Sequence, residues 1–167
     1  SIAVALTIYL MNGVPGRFSP ELGAYLAASE DFNPDRPQCH MRSDRPIPYQ
    51  QTCIYGDESQ PPSMAIWGDS HGTELAMMLG TRLKDDQRSL RSMTMSGCAA
   101  SLSRYPLCNE QVADSLEAMI ADDEMRTILL VQNLHGHDDY AKDTVAGLKQ
   151  TALKLKKADK QVVIVYP

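Results

Sequence analysis

Met64 to Gly72 reads MAIWGDSHG, and the chain is best understood outward from it. An apolar run ends in Gly68-Asp69-Ser70, and TELAMMLGTRLKDD follows with Leu75, Met78, Leu79 and Leu83 at helical spacing. The pattern predicts a short buried strand, a sharp turn and an amphipathic helix, with Ser70 at the turn. A serine there is exposed at the rim of a sheet and lies beside helix N–H groups, whose partial positive charge favours an oxyanion. Gly68 would permit the sharp turn and Gly72 a close backbone approach. The structural alternative is a helix N-cap, a place where Asp and Ser are both favoured.

Gly68-Asp69-Ser70-His71-Gly72 also satisfies the G-x-S-x-G pattern of the α/β-hydrolase nucleophile elbow. That reading fails on position. Such enzymes place several strands and an HGG-like oxyanion loop before the serine. Here a proline-rich stretch precedes it, and Ser70 follows the first convincing strand of the sheet.

Downstream the alternation continues. RSLRSMTMS reads as a second strand, Asn109 to Asp123 as a helix carrying Val112, Leu116, Met119 and Ile120, and RTILLVQN as the strongest strand. YAKDTVAGLKQTALKLKKA is a third helix and KQVVIVYP a fourth strand. Alternating strands and helices predict a parallel sheet covered on both faces. Ligands then bind at the carboxyl ends of the strands. The residues to interrogate are Gly68-Asp69-Ser70-His71, Ser96-Gly97-Cys98 and Gln132-Asn133-Leu134-His135.

Upstream, residues 12–62 are rich in Pro, Asp, Gln, Ser and Arg, with turn signals throughout. They read as an extended connector, with one short helix in PELGAYLAASEDF. The start, SIAVALTIYLM, lacks a basic n-region and a cleavage site, and is shorter than the roughly 20 apolar residues of a bilayer span. It is either a buried element or the last turns of a membrane helix.

At 167 residues, 43% hydrophobic and 22% charged, the composition is that of a folded domain with a real core. The net charge of −5 gives no argument for a nucleic-acid partner. Lys154 to Lys157 reads as the solvated face of a helix. The four cysteines form two local pairs in sequence, Cys39 with Cys53 and Cys98 with Cys108. Three connectivities are open, and the spacing alone does not choose among them. None of the spacings is C-x-x-C, so no metal is expected. Disulfides would indicate an oxidising compartment, whereas reduced, buried thiols would fit the cytosol.

A GDS block at the end of the first sheet strand resembles the SGNH (GDSL-like) hydrolase superfamily. With CIYGD upstream and SGCAASL…LC downstream, MAIWGDSHG is similar to the SGNH domain fused behind membrane-bound acyltransferase family 3 proteins. The resemblance runs in order along the whole chain. It implies a three-layer α/β/α, flavodoxin-like fold, here truncated after the fourth strand. Residues 1–12 would be the end of a transmembrane helix, 13–62 a periplasmic linker, and 63–167 the N-terminal part of the SGNH domain. Ser70 would be the nucleophile, with its own N–H, Gly97 and Asn133 as oxyanion donors; a plain strand-end turn is the alternative for Asn133.

The family's late D-x-x-H does not occur after the last strand, so this chain is expected to lack its catalytic His and Asp. The histidines are His40, His71, His135 and His137. HGHDD, His135 to Asp139, is weighed as offering a base (His137 with Asp138) or a metal-binding pair, against a solvated polar loop. The resemblance implies O-acyl transfer, acetyl above all, to a cell-envelope polysaccharide. It implies no cofactor, an acyl-donor membrane domain in the same polypeptide, a glycan acceptor, and a periplasmic site on a bacterial inner-membrane protein. The alternatives are a periplasmic carbohydrate esterase and a non-catalytic glycan-binding domain.

Overall fold

The computed structural model describes residues 2–28, 32–102, 108–134 and 139–165. They fall into two units, which divide between Phe32 and Asn33.

The first unit holds helix α1 (Ile2–Leu10), a 3-10 turn over Pro15–Arg17 and helix α2 (Pro20–Ala28). The hydroxyl of Ser19 accepts the Leu22 N–H at 3.3 Å, so a serine caps the short helix expected in this stretch. No residue of α1 is buried, and Ile2 is 89% exposed. Among the described residues, no helix is long and apolar enough to cross a membrane.

The second unit is a five-stranded sheet in the order β1-β3-β2-β4-β5, where β1 is Ile54–Gly56, β2 Met64–Gly68, β3 Ser89–Thr94, β4 Thr127–Val131 and β5 Gln161–Val165. Helices α4 (His71–Asp85), α5 (Asn109–Ala121) and α6 (Asp139–Lys157) follow β2, β3 and β4 in the chain; α3 (Arg36–Cys39) is a single turn before β1. The four strands from β2 onward are parallel. Taken in chain order they lie 2-1-3-4, the doubly wound, flavodoxin-like arrangement.

Side chains alternate between the two faces, as the pleat requires. Ala65, Trp67, Met93, Ile128 and Leu130 pack with Val112, Leu116 and Met119 of α5 and Leu148 and Leu155 of α6. Ile66, Leu90 and Val131 pack with Ala76 and Leu83 of α4. This unit is therefore an α/β/α sandwich. Lys154, Lys156 and Lys157 lie on the exposed side of α6 around the buried Leu155, as expected.

Two differences from the sequence reading stand out. The sheet is not wholly parallel: β1 runs antiparallel to β3 at the edge. It comes from the expected connector, since the unit begins at Asn33 and not at Ser63. Three residues, Ile54-Tyr55-Gly56, are too short for a periodic signal. Long-range contacts hold that stretch instead. Arg91 of β3, only 6% exposed, donates to the Tyr49 carbonyl at 2.7 Å and the Thr52 hydroxyl at 3.0 Å. Its guanidinium lies 4.5 Å over the Tyr49 ring, a cation–π contact, and the Tyr49 hydroxyl donates to Asp122 at 2.7 Å.

The second difference concerns α4. Met78 is 60% exposed, and Gly72, Thr73, Ala76, Gly80 and Leu83 are the buried residues, with Leu75 and Leu79 partly buried against the same core. Small side chains face the sheet, so the helix sits close to it.

Of the three connectivities, the structure forms Cys39–Cys53, 14 residues apart, and Cys98–Cys108, 10 apart. Loops of this length stabilise by roughly 3 kcal/mol each in the chain-entropy model.

Candidate active site

Three strand ends meet where the chain order of the parallel strands reverses about β2. The Asp69 N–H donates to the Val131 carbonyl at 3.2 Å, and the Met95 N–H donates to the Gly68 carbonyl at 2.9 Å. The β2 terminus is thus laced to both neighbours. Gly68 is required by space more than by its turn, because a Cβ there would collide with the Val131 carbonyl oxygen.

Asp69 is 8% exposed, and both of its carboxylate oxygens are committed. Oδ2 accepts the Asn133 N–H at 2.7 Å, which draws the end of β4 onto the end of β2. Oδ1 accepts the His71 N–H at 2.9 Å and lies 3.1 Å from His71 Nδ1. A carboxylate at a helix N-terminus is favoured by the helix dipole as well as by these charge-assisted bonds.

Ser70 takes the N-cap position of α4 at φ −62 and ψ −19, yet its hydroxyl makes no capping hydrogen bond. Asp69 supplies the acceptor for a first-turn N–H in its place. The half-buried Ser70 side chain therefore sits at the N-terminus of a 15-residue helix without the local bond that an N-cap serine ordinarily makes.

The loop after β3 is a tight turn in which the Cys98 N–H donates to the Met95 carbonyl at 3.2 Å. Gly97 holds its third position at φ +66, where no side chain is favoured. An added Cβ would meet nothing within 4 Å, so the demand for glycine is torsional. Cys98 is buried and bonded to Cys108, which anchors the far side of the turn.

Asn133 is half-buried, and its Oδ1 has no partner among the described residues. Its backbone N–H is already given to Asp69, so only its side chain remains for other work. Gln132 beside it is 1% exposed, and its Oε1 accepts the Ala100 N–H at 3.1 Å. Ser70, Gly97 and Asn133 thus belong to three loops at one edge of the sheet, as the sequence reading expected. His135, His137 and Asp138 lie outside the described residues. Among the described residues, no group of three or more His, Cys, Asp or Glu could hold a metal ion.

Two contributors were not legible in the sequence. The bridging role of Asp69 is one; its only local signal was its place before Ser70. The other is His40, 5% exposed, whose Nδ1 lies 2.9 Å from the Thr94 hydroxyl and 3.1 Å from that of Thr73, and whose Nε2 lies 2.9 Å from the Ser96 hydroxyl. Burial pushes the His40 imidazole below its ordinary pKa, and Arg36 pushes it the same way. His40 adjoins the disulfide residue Cys39, the one hint that its segment is fixed.

Comparison with curated proteins and with solved structures finds no match. A family model described as "SGNH domain (fused to AT3 domains)" matches residues 38–167, a span that includes Cys39, His40, the antiparallel β1 and Ser70. It covers most of the chain and agrees with the α/β/α sheet. This chain belongs to the family of SGNH domains that are fused to AT3 domains.

Proposed function

We propose that the protein carrying this domain transfers an acyl group, acetyl above all, to a hydroxyl of a cell-envelope polysaccharide through an ester on Ser70. The observation that carries the reading is the Ser70 hydroxyl, which stands at the N-terminus of α4 while Asp69 takes over the capping. Family membership supports an esterase- or acyltransferase-type domain in a membrane-protein context. Two disulfides support an oxidising, periplasmic location.

In the first step Ser70 Oγ attacks the carbonyl carbon of the donor and gives its proton to a general base. The tetrahedral oxyanion is held by the N–H groups of Ser70 and Gly97 and by the Asn133 side-chain amide. The donor's leaving group departs, and the acyl group remains on Ser70 as an ester. A sugar hydroxyl then attacks that ester, and Ser70 Oγ regains a proton. Transfer and hydrolysis differ only in which hydroxyl attacks.

The general base belongs to the family's D-x-x-H.

The deciding experiment measures acetyl on the surface polysaccharide in a deletion strain and in a strain with Ser70→Ala. Loss in both supports a transferase. A gain identifies an esterase instead. Acetylation lost on deletion but intact with Ser70→Ala points to a glycan-binding role for the domain.

A further inference from the structure

His40 lies outside the MAIWGDSHG stretch, on the segment that precedes β1, yet it touches both the first turn of the Ser70 helix and the turn that holds Gly97. We infer that His40 is a positioning residue, which holds the Ser96–Gly97 turn in register with the first turn of the Ser70 helix. The inference rests on the reading of Ser70 as nucleophile and Gly97 as oxyanion donor.

Three elements meet on the one imidazole. Nε2 lies 2.9 Å from the hydroxyl of Ser96, the neighbour of Gly97. Nδ1 lies 2.9 Å from the hydroxyl of Thr94, the last residue of β3. It also lies 3.1 Å from the hydroxyl of Thr73, which sits one helical turn after Ser70. The two threonine hydroxyls are themselves 3.1 Å apart and close a triangle.

The ring is itself held in place. The Met41 N–H donates to the Thr94 carbonyl at 2.8 Å, and the Ser96 N–H donates to the Met41 carbonyl at 2.9 Å, a short parallel pairing alongside the end of β3. Arg45 donates to the His40 carbonyl at 3.1 Å, and Cys39 is tied to Cys53. Both ring nitrogens are engaged and the ring is buried, so His40 is not placed to take a proton from substrate. Its effect must pass through Ser96, and through it the orientation of the Gly97 N–H. An oxyanion donor acts only within a few tenths of an ångström of its proper place, and losing one costs about 100- to 1,000-fold. Hydroxyls can donate or accept, so a neutral ring satisfies all three partners in either tautomer. The charged groups that act on the ring are Arg36 and Arg45, which oppose its protonation, and Asp69 and Glu74, which favour it.

The test uses the full-length protein, with the rate of Ser70 labelling by a fluorophosphonate and the kcat and KM of transfer as readouts. Gln places an amide near the Nε2 position and Asn near Nδ1. His40→Gln is expected to keep labelling within about threefold of wild type. His40→Asn should lose about tenfold or more, in kcat and not in the acceptor KM. Ser96→Ala removes the same link from the exposed side of the turn and should reproduce the His40→Asn loss in a protein that unfolds at the wild-type temperature. Wild-type labelling by Ser96→Ala, or equal rates for the Asn and Gln variants, overturns the role of His40 while leaving Ser70 as nucleophile. Absence of labelling at Ser70 in the wild type removes both readings together.

Discussion

Asp69 and Asn133 stand 64 residues apart in sequence and 2.7 Å apart in space, carboxylate Oδ2 to backbone N–H. The other oxygen of the same carboxylate caps the helix that begins after Ser70. One buried side chain therefore joins the loop after β4 to the serine turn and releases Ser70 from capping.

Asp69→Asn keeps the size and removes the charge. The amide has one acceptor oxygen for the two N–H groups that the carboxylate now serves. A loss of about 1–3 kcal/mol is expected, the cost of a buried donor left unpaired. Urea unfolding measures it, and a change below about 0.5 kcal/mol would show that the bridge contributes little.

Ser70→Ala should behave in the opposite way. Its hydroxyl makes no capping bond, so stability should move by no more than about 0.5 kcal/mol. Acyl transfer by the full-length protein should vanish. A stability loss near 1 kcal/mol, the usual cost of deleting an N-cap hydroxyl, would mean that the serine is a cap after all.

Gly97 at φ +66 faces open space, so a substitution there meets torsional strain and no clash. Gly97→Ala should cost about 1–2 kcal/mol. Gly97→Asn should cost less, because Asn tolerates the left-handed region better. Thermal unfolding of the pair separates torsion from crowding: equal losses would point to crowding.

Removing Cys39–Cys53 as the double Ser variant should cost about 3 kcal/mol if the chain-entropy model holds. Hydrogen exchange should rise first in the Met41 pairing and in β1, which this bridge links. A uniform rise across the sheet would contradict that localisation.

His40 predicts the direction of acid sensitivity. Burial and then Arg36 lower its pKa in the folded state, so the unfolded chain binds the proton more readily. The contribution to stability is complete above the unfolded value of about 6.5 and is lost as pH falls from there through the lower folded value. His40→Gln should flatten the stability profile in that window. An unchanged slope would assign the acid sensitivity to other groups.

Much of the fold was legible because local rules sufficed. Met64–Gly68 is a short apolar strand and Thr127–Val131 a β-rich one, while Val112, Leu116 and Met119 recur at helical spacing. The place of Ser70 at the turn was legible for the same reason, since strand, turn and helix follow one another directly. The oxyanion roles proposed for Gly97 and Asn133 rest on the family resemblance, because a glycine or an asparagine after a strand is by itself an ordinary turn residue. The edge strand β1 was missed, and on α4 Met78 was placed inward although it is exposed, while Leu75, Leu79 and Leu83 pack as expected. Three residues carry no periodicity, and Thr73, Ala76 and Gly80 carry little hydrophobic signal although they pack closely.

By itself the sequence determined the order of the four parallel strands and the helices between them, and the serine at the first strand-to-helix turn of the parallel sheet; the succession of those segments along the chain carried the family. Each depends on residues within a few positions of one another. Tertiary structure alone decided the two disulfide pairings, the antiparallel edge, the pairing of Asp69 with Asn133, and the clasp of His40 on Thr73, Thr94 and Ser96. Those contacts join residues 10 to 64 positions apart. They exist only once the strands have stacked in register, because the sheet then brings the loop ends to hydrogen-bonding distance at its carboxyl edge.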